Sequence, residues 1–298
     1  MTYHFLFAAL SLLPPPDSLR QRIEARIAQV PGAVVGVSLR DLGTGESLDI
    51  NADSSFHAAS TMKVPVMIEL FRQADRGWIS LDQPILLVNQ FGSLVDGSPF
   101  SVDAADDSDS LMYKKVGERV PVRELLERMI VRSSNLATNA LIAIVGASRA
   151  NETAHELGAT RIKVLRGVED QKAYDAGLNN TTTAPDLAAL LAAIEHNRAA
   201  SDKSCREMRE ILLRQEFNDE IPAGVPPGTR VAHKTGQITA VLHDAAIVYP
   251  QGQRPYVLVV LTRGIPDEKV ARSLIKDISS IVYQALRAPA ATASKSAA

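Results

Sequence analysis

One cysteine, Cys205, occurs in 298 residues, so no intrachain disulfide can form and cysteine pairing gives no reading of the compartment. Its ordinary reading is a small buried apolar residue. Aromatic residues are scarce, at 5% with a single tryptophan. Neither sign of charge dominates: 32 Lys and Arg stand against 34 Asp and Glu, and no long basic run or aromatic-basic interleaving is present. Nucleic-acid binding is therefore unsupported. The six histidines show no H-E-x-x-H or comparable ligand spacing, so no metal or organic cofactor is expected. No segment reaches the apolar length that spans a bilayer, which leaves no expectation of stable membrane insertion.

The nine mostly apolar residues 5–13 have the length of a signal-peptide core, although no Lys or Arg precedes Arg20 and no clear A-x-A site follows before Pro14. A leader over 1–16 and a periplasmic or secreted location are the expectation. What the chain does have is apolar content, 46%, enough for a sizeable core.

Periodicity predicts a first helix from Asp17, with Leu19, Ile23, Ile27 and Val30 on one face and Pro31-Gly32 as its stop. Residues 33–40 and 46–50 read as strands of a hairpin around the turn at 41–45. A helix opened by Ser60 ends near Gly77. Residues 88–116 look irregular, and their acidic run, 103–109, reads as a solvated loop because it lacks the glycine and terminal glutamate of a calcium loop. Two helical faces follow, first Leu125, Leu126, Met129 and Ile130, then Leu136, Ala140, Leu141, Ile144 and Val145, separated by the polar break Arg132-Ser133-Ser134-Asn135. Helices are expected at 151–158, 187–196 and 204–215, with a polar loop at 166–180. The last third changes character: 231–235, 244–249 and 256–262 read as strands, 267–286 as an amphipathic helix, and 288–298 as a low-complexity tail.

Two β-bearing ends around a helical middle predict an α/β (α+β) fold, an antiparallel sheet built from both chain termini and flanked by helices, with an all-α domain inserted. The expected units are 17–58 with 222–287, and 59–221, and the cleft between them is the default site. A monomer is the default state.

Within that plan, Ser60-Thr61-Met62-Lys63 opens the apolar run 64–71 as a helix N-terminus, with Lys63 one turn from Ser60. A serine hydroxyl needs a neighbour to take its proton, and a partly desolvated lysine with a lowered pKa can do so. The tetrapeptide alone is unspecific, since about one chance S-x-x-K is expected in a chain of this length, and Ser273 to Lys276 is such a match. Taken singly, Ser133, Asn135 and Gly236 read as capping or turn residues. The ordered set Ser60-x-x-Lys63, Ser133-Ser134-Asn135 and Lys234-Thr235-Gly236 is far more selective.

In order and spacing this set resembles the penicillin-recognising serine hydrolases, most closely the class A β-lactamases. The resemblance spans nearly the whole chain. It implies the β-lactamase/transpeptidase-like fold, Ser60 as nucleophile, Lys63 as general base, and an oxyanion hole from the backbone N–H groups of Ser60 and Gln237. It further implies that Ser133 relays a proton to the leaving nitrogen and that Asn135 holds Lys63 and the substrate amide. Lys234 and Thr235 would bind the substrate carboxylate, and Gly236 would let the ligand approach the strand. The implied partner is a small β-lactam or peptidoglycan-like molecule.

Three departures stand out. The family's Arg-x-Glu-Pro-Glu-Leu-Asn loop reads here Arg166-Gly-Val-Glu169-Asp170-Gln-Lys-Ala173, with the glutamate one residue later, no proline, and Ala173 in place of the asparagine. Glu169 is the expected activator of the deacylating water, with Asp170 as the alternative. Ser134 stands where the family usually has aspartate. His243 aligns with a substrate-binding arginine and would bind a carboxylate when protonated, or serve as a structural imidazole. The expected activity is β-lactam hydrolysis; a D-alanyl peptidase or esterase-like enzyme with slow deacylation, and a lactam- or peptidoglycan-binding protein without turnover, are the competing readings.

Overall fold

Ser18 opens the first helix with a capping box: its hydroxyl accepts the Gln21 N–H at 3.2 Å, and the Gln21 side chain accepts the Ser18 N–H at 3.1 Å. The computed structural model describes residues 18–287; the expected leader at 1–16 and tail at 288–298 lie outside them.

In chain order the elements are α1 (Leu19–Ala28), β1 (Val34–Asp41), β2 (Ser47–Ile50), β3 (Phe56–His57), α2 (Lys63–Asp75), β4 (Pro84–Leu86), β5 (Phe91–Gly92), β6 (Pro99–Phe100) and β7 (Arg119–Pro121). There follow α3 (Val122–Val131), α4 (Asn135–Val145), α5 (Ala147–Glu156), α6 (Gln171–Asp175), β8 (Thr181–Thr182), α7 (Ala184–Glu195), α8 (Asp202–Leu212), β9 (Arg230–Ile238), β10 (Val241–Tyr249), β11 (Tyr256–Arg263) and α9 (Glu268–Arg287).

The sheet runs β2-β1-β11-β10-β9, all antiparallel, so the first hairpin and the C-terminal meander join where β1 meets β11, with Val37 opposite Val260. Side chains alternate across it. Val35, Val37, Leu258 and Val260 face one core with Ile23 of α1 and Leu274, Ile275, Ile278 and Val282 of α9. Val257, Val259, Leu261, Ala245 and Ile247 face the other, which continues through α2 and the helical block. A one-residue slip of register would exchange the two sets. At the heart of the larger core α2 is buried from Lys63 through Phe71.

Helix α5 starts at Ala147, four residues before the expected 151, because Gly146 at φ 82° ends α4 and caps α5 together. The exposed Ser148 to Arg149 stretch carried no apolar signal for it. The polar loop at 166–180 also contains the single helical turn of α6.

The acidic run is a larger correction. Asp107 and Asp109 are only 7% and 1% exposed. Asp109 accepts from Arg128 at 3.1 and 3.2 Å and lies 3.5 Å from Arg132, while Asp107 accepts backbone N–H groups at the start of α4. Carboxylates leave water when such donors are arranged for them, and the donors come from α3 and α4, elements a local reading of the run does not see.

Among the described residues no helix is long and apolar enough to cross a membrane.

Candidate active site

Strand β3 leads into one turn of 3-10 helix, Ala59–Met62, which carries Ser60 and continues directly into α2 at Lys63. The turn is tied at its entrance: the Ala59 N–H donates to His57 Nδ1 at 3.0 Å, and the Thr61 hydroxyl donates to the Ala58 carbonyl at 2.6 Å. Ala59 sits at φ 45°, a left-handed conformation that costs about 1–3 kcal/mol in a non-glycine residue. Strand β9, at the end of the sheet, lies against this turn. A Cβ on Gly236 would come within 3.1 Å of the backbone nitrogens of Ser60 and Thr61, so glycine is what permits the approach.

Lys63 is fully buried, and its ammonium donates to the Ser133 carbonyl at 2.6 Å, the Ser133 hydroxyl at 3.1 Å and Asn135 Oδ1 at 3.0 Å. Burial pushes its pKa down to about 7, against the opposing pull of Asp107 and Glu169. At neutral pH a large fraction is thus the free amine, able to accept a proton. Ser133, at φ 58°, projects its hydroxyl between the two lysines; Lys234 donates to it at 2.9 Å and to the Thr235 carbonyl at 2.9 Å. Burial and then the neighbouring Lys63 hold the Lys234 pKa well below the usual lysine value, while Asp244 and Glu220 pull it upward.

Glu169, on the loop before α6, is the third left-handed residue of the site, at φ 62°. Asn135 Nδ2 donates to Glu169 Oε1 at 2.6 Å, and the Asp103 N–H donates to Oε2 at 3.1 Å. Burial raises its pKa; those two donors oppose the rise, and Asp107 and Asp106 add to it. Its neighbour Asp170 turns elsewhere: it accepts from the Ser93 hydroxyl at 2.9 Å and the Leu94 N–H at 2.7 Å, and caps α6 through the Ala173 N–H at 3.1 Å. Asp170 therefore ties the loop to the β5–β6 ribbon, and only Glu169 is bonded to Asn135. Arg166 closes the loop through Leu178 O, Gly167 O and Asn179 Oδ1.

Ser60, Asn135 and Gln237 border both lobes of the cleft, of about 320 and 440 Å³. Glu169 lines the first lobe, and Ser133, Thr235 and Gly236 line the second. Lys63 and Lys234 reach the same point through Ser133. The Gln237 side chain is directed outward, donating to Glu268 at 2.6 Å.

His243 is not part of this group and must be corrected. It is fully buried behind the turn that carries Ser60, with Nε2 2.8 Å from the His57 carbonyl and Nδ1 2.8 Å from the Leu242 carbonyl. Burial outweighs those carbonyls and pushes its pKa down to about 4, so the ring is neutral and braces the chain before Ala59. The cation facing the second lobe is Arg272 of α9, bonded to Gln237 Oε1 at 3.3 Å and Glu220 at 3.2 Å. Glu220, itself raised to about 7 by burial and by Asp244 against the pull of Arg272, was equally missed. An arginine one turn inside an amphipathic helix carries no local mark of its target.

Among the described residues no group of three or more His, Cys, Asp or Glu side chains is placed to hold a metal ion. The arrangement offers a hydroxyl beside a buried low-pKa amine, a second hydroxyl between two lysines, and a carboxylate across one asparagine. Those are the parts for moving protons on and off an acyl group.

A family model described as "Beta-lactamase enzyme family" matches residues 18–286. Similar proteins include a β-lactamase of Bacillus licheniformis, 28% identical over 88% of this chain and 82% of its own length, and β-lactamase VEB-1 of Pseudomonas aeruginosa, 22% identical over 90% of each. Among solved structures, PBP-A is 29% identical with a TM-score of 0.77, covering 90% of this chain and 95% of that one. A mutant of PBP-A in an acyl-enzyme complex with penicillin G is 30% identical with a TM-score of 0.77, covering 90% and 96%. A β-lactamase from Sphaerobacter thermophilus is 29% identical with a TM-score of 0.76, covering 89% and 95%.

Proposed function

Because the chain belongs to the β-lactamase enzyme family, we propose that it is a serine hydrolase that opens the amide of a β-lactam ring through an acyl-enzyme on Ser60. Free-amine Lys63 takes the Ser60 proton as Oγ attacks the carbonyl, and the backbone N–H groups of Ser60 and Gln237 receive the developing oxyanion. The C–N bond breaks as the Ser133 hydroxyl passes its proton to the lactam nitrogen; Lys63, 3.1 Å away, replaces that proton. Lys234 and Thr235 hold the substrate carboxylate at the second lobe. Glu169 then takes a proton from the water that attacks the ester, and Ser60 recovers its hydrogen as the acid leaves.

The observation that carries this reading is that one asparagine holds both bases. Asn135 Oδ1 accepts from Lys63 at 3.0 Å while its Nδ2 donates to Glu169 at 2.6 Å. The altered loop thus still brings a carboxylate to the acylating groups, which supports turnover rather than arrest. A peptidase-like enzyme with a long-lived acyl state is the second reading, its slow deacylation favoured by Ala173 in the place of the family's asparagine and by the likeness to a PBP-A mutant seen as an acyl-enzyme complex with penicillin G.

A stopped time course with a chromogenic cephalosporin, paired with intact mass at each point, separates the two. Continuous turnover with little adduct is the expected result. A one-equivalent burst and a persistent adduct on Ser60 would favour the second reading, and an adduct that survives Ser60→Ala would remove the nucleophile assignment.

A further inference from the structure

The Ser133–Asn135 segment, whose side chains bond Lys63 and Lys234, leads into the N-terminus of α4. The first N–H groups of a helix have no partner within it. In α4 the N–H groups of Asn135 and Leu136 both donate to Asp107 Oδ2, at 2.8 and 3.0 Å. The Ala137 N–H donates to the Ser134 hydroxyl at 3.3 Å, and the Thr138 N–H begins the regular ladder on the Ser134 carbonyl at 3.1 Å. Ser134 therefore satisfies one side-chain cap and a carboxylate from another part of the chain satisfies two. The Ser134 hydroxyl also donates to Asp107, at 3.3 Å.

Asp107 is itself anchored, with Tyr113 OH donating to Oδ2 at 3.0 Å and the Asp109 N–H to Oδ1 at 2.9 Å. The same loop supplies the Asp103 N–H to Glu169. We propose that Asp107 is a positioning residue of the active site: its carboxylate, delivered from loop 103–109, does the work that an aspartate at position 134 would do, and so keeps Ser133 and Asn135 on Lys63 and Lys234. A serine oxygen reaches one N–H and brings no charge to the helix terminus; the carboxylate bridges two and adds the favourable interaction with the helix dipole.

The proposal rests on the acyl-enzyme reading, and its test keeps the two apart. Acylation by a penicillin is followed in the parent, Asp107→Ala, Asp107→Asn and Asp107→Ala/Ser134→Asp, with hydrogen exchange of the Asn135 and Leu136 amides and thermal melting alongside. Asp107→Ala should slow acylation by about 10- to 100-fold, the usual effect of a small misplacement of reacting groups, and speed exchange at both amides. Lys63 faces Asp107, Glu169 from the loop before α6, and Lys234 from β9; removing one of its two negative neighbours should move the pH at which acylation rises downward in both Asp107 variants. Asp107→Asn, which keeps the shape, covers the case in which the alanine variant fails to fold. Ser134→Asp in the Asp107→Ala background should bring acylation back to within about threefold of the parent rate.

Acylation within about threefold of the parent in Asp107→Ala, an unmoved pH limb in both variants, or no recovery by Ser134→Asp each overturns the proposal. Absence of any adduct in the parent overturns the acyl-enzyme reading instead; the exchange measurement then stands alone, faster exchange at Asn135 and Leu136 supporting the Asp107 cap and unchanged exchange overturning it.

Discussion

Lys63 and Ser133 stand where α2 and α4 begin, inside a buried core, and Lys63 makes three hydrogen bonds. Glu169 instead rides on a half-buried loop and is held by two, one to Asn135 and one to the Asp103 N–H. The groups assigned to acylation are thus fixed by the packing of helices, and the carboxylate assigned to deacylation by a loop that Arg166 and Asp170 tie down at its ends. Acylation should accordingly tolerate changes in the loop, and deacylation should not.

The severest test removes the base on the helical side. Lys63→Met should lower acylation by about 10²- to 10⁴-fold, the usual worth of a positioned base, measured as the rate of adduct formation. In the parent, Lys63 with its pKa lowered to about 7 should make acylation fall about tenfold per unit below that pH, as the amine takes up a proton. A flat profile from pH 5 to 8 would move the base role to Glu169.

Next comes Glu169→Gln, which should slow deacylation by about 10²-fold or more while changing acylation by less than tenfold; accumulation of adduct by mass is the readout. Equal losses in both steps would erase the contrast between the two regions. Asp170→Ala cuts the tie of the loop to Ser93 and Leu94 without touching Glu169. Deacylation should drop about tenfold through misplacement, with acylation unchanged.

The smallest effect concerns stability. Glu220, raised in the folded protein to about 7 from 4.5, binds its proton more tightly folded than unfolded. Its contribution is full below the unfolded value and is lost as pH rises through about 7. Glu220→Gln should therefore flatten the dependence of Tm on pH between 5 and 7, seen by calorimetry.

Much of this was legible in the residues. The short apolar runs within 231–262, separated by turns, marked the meander, and the apolar spacing of α3, α4 and α9 marked those helices, because each element carries its own local signal. Ser60, Lys63, Ser133 and Asn135 belong to short motifs at helix starts and Lys234 to one within β9, and they were found through those motifs. His243 was misplaced because alignment along β10 says nothing of which face of the strand opens to the cleft; the residue lies buried against the His57 carbonyl. Asp107, Glu220 and Arg272 were missed because each meets its partner across loops or elements distant in the chain.

By itself, then, the sequence determined the order of elements, the sheet drawn from both ends and the three motifs, since local periodicity and short spacings are properties of neighbouring residues. Tertiary structure decided the rest: which carboxylate faces Asn135, which acid caps α4, and how far a buried lysine loses its proton. Those depend on burial and on donors brought together from distant parts of the chain, and an electrostatic environment exists only once the chain has enclosed it.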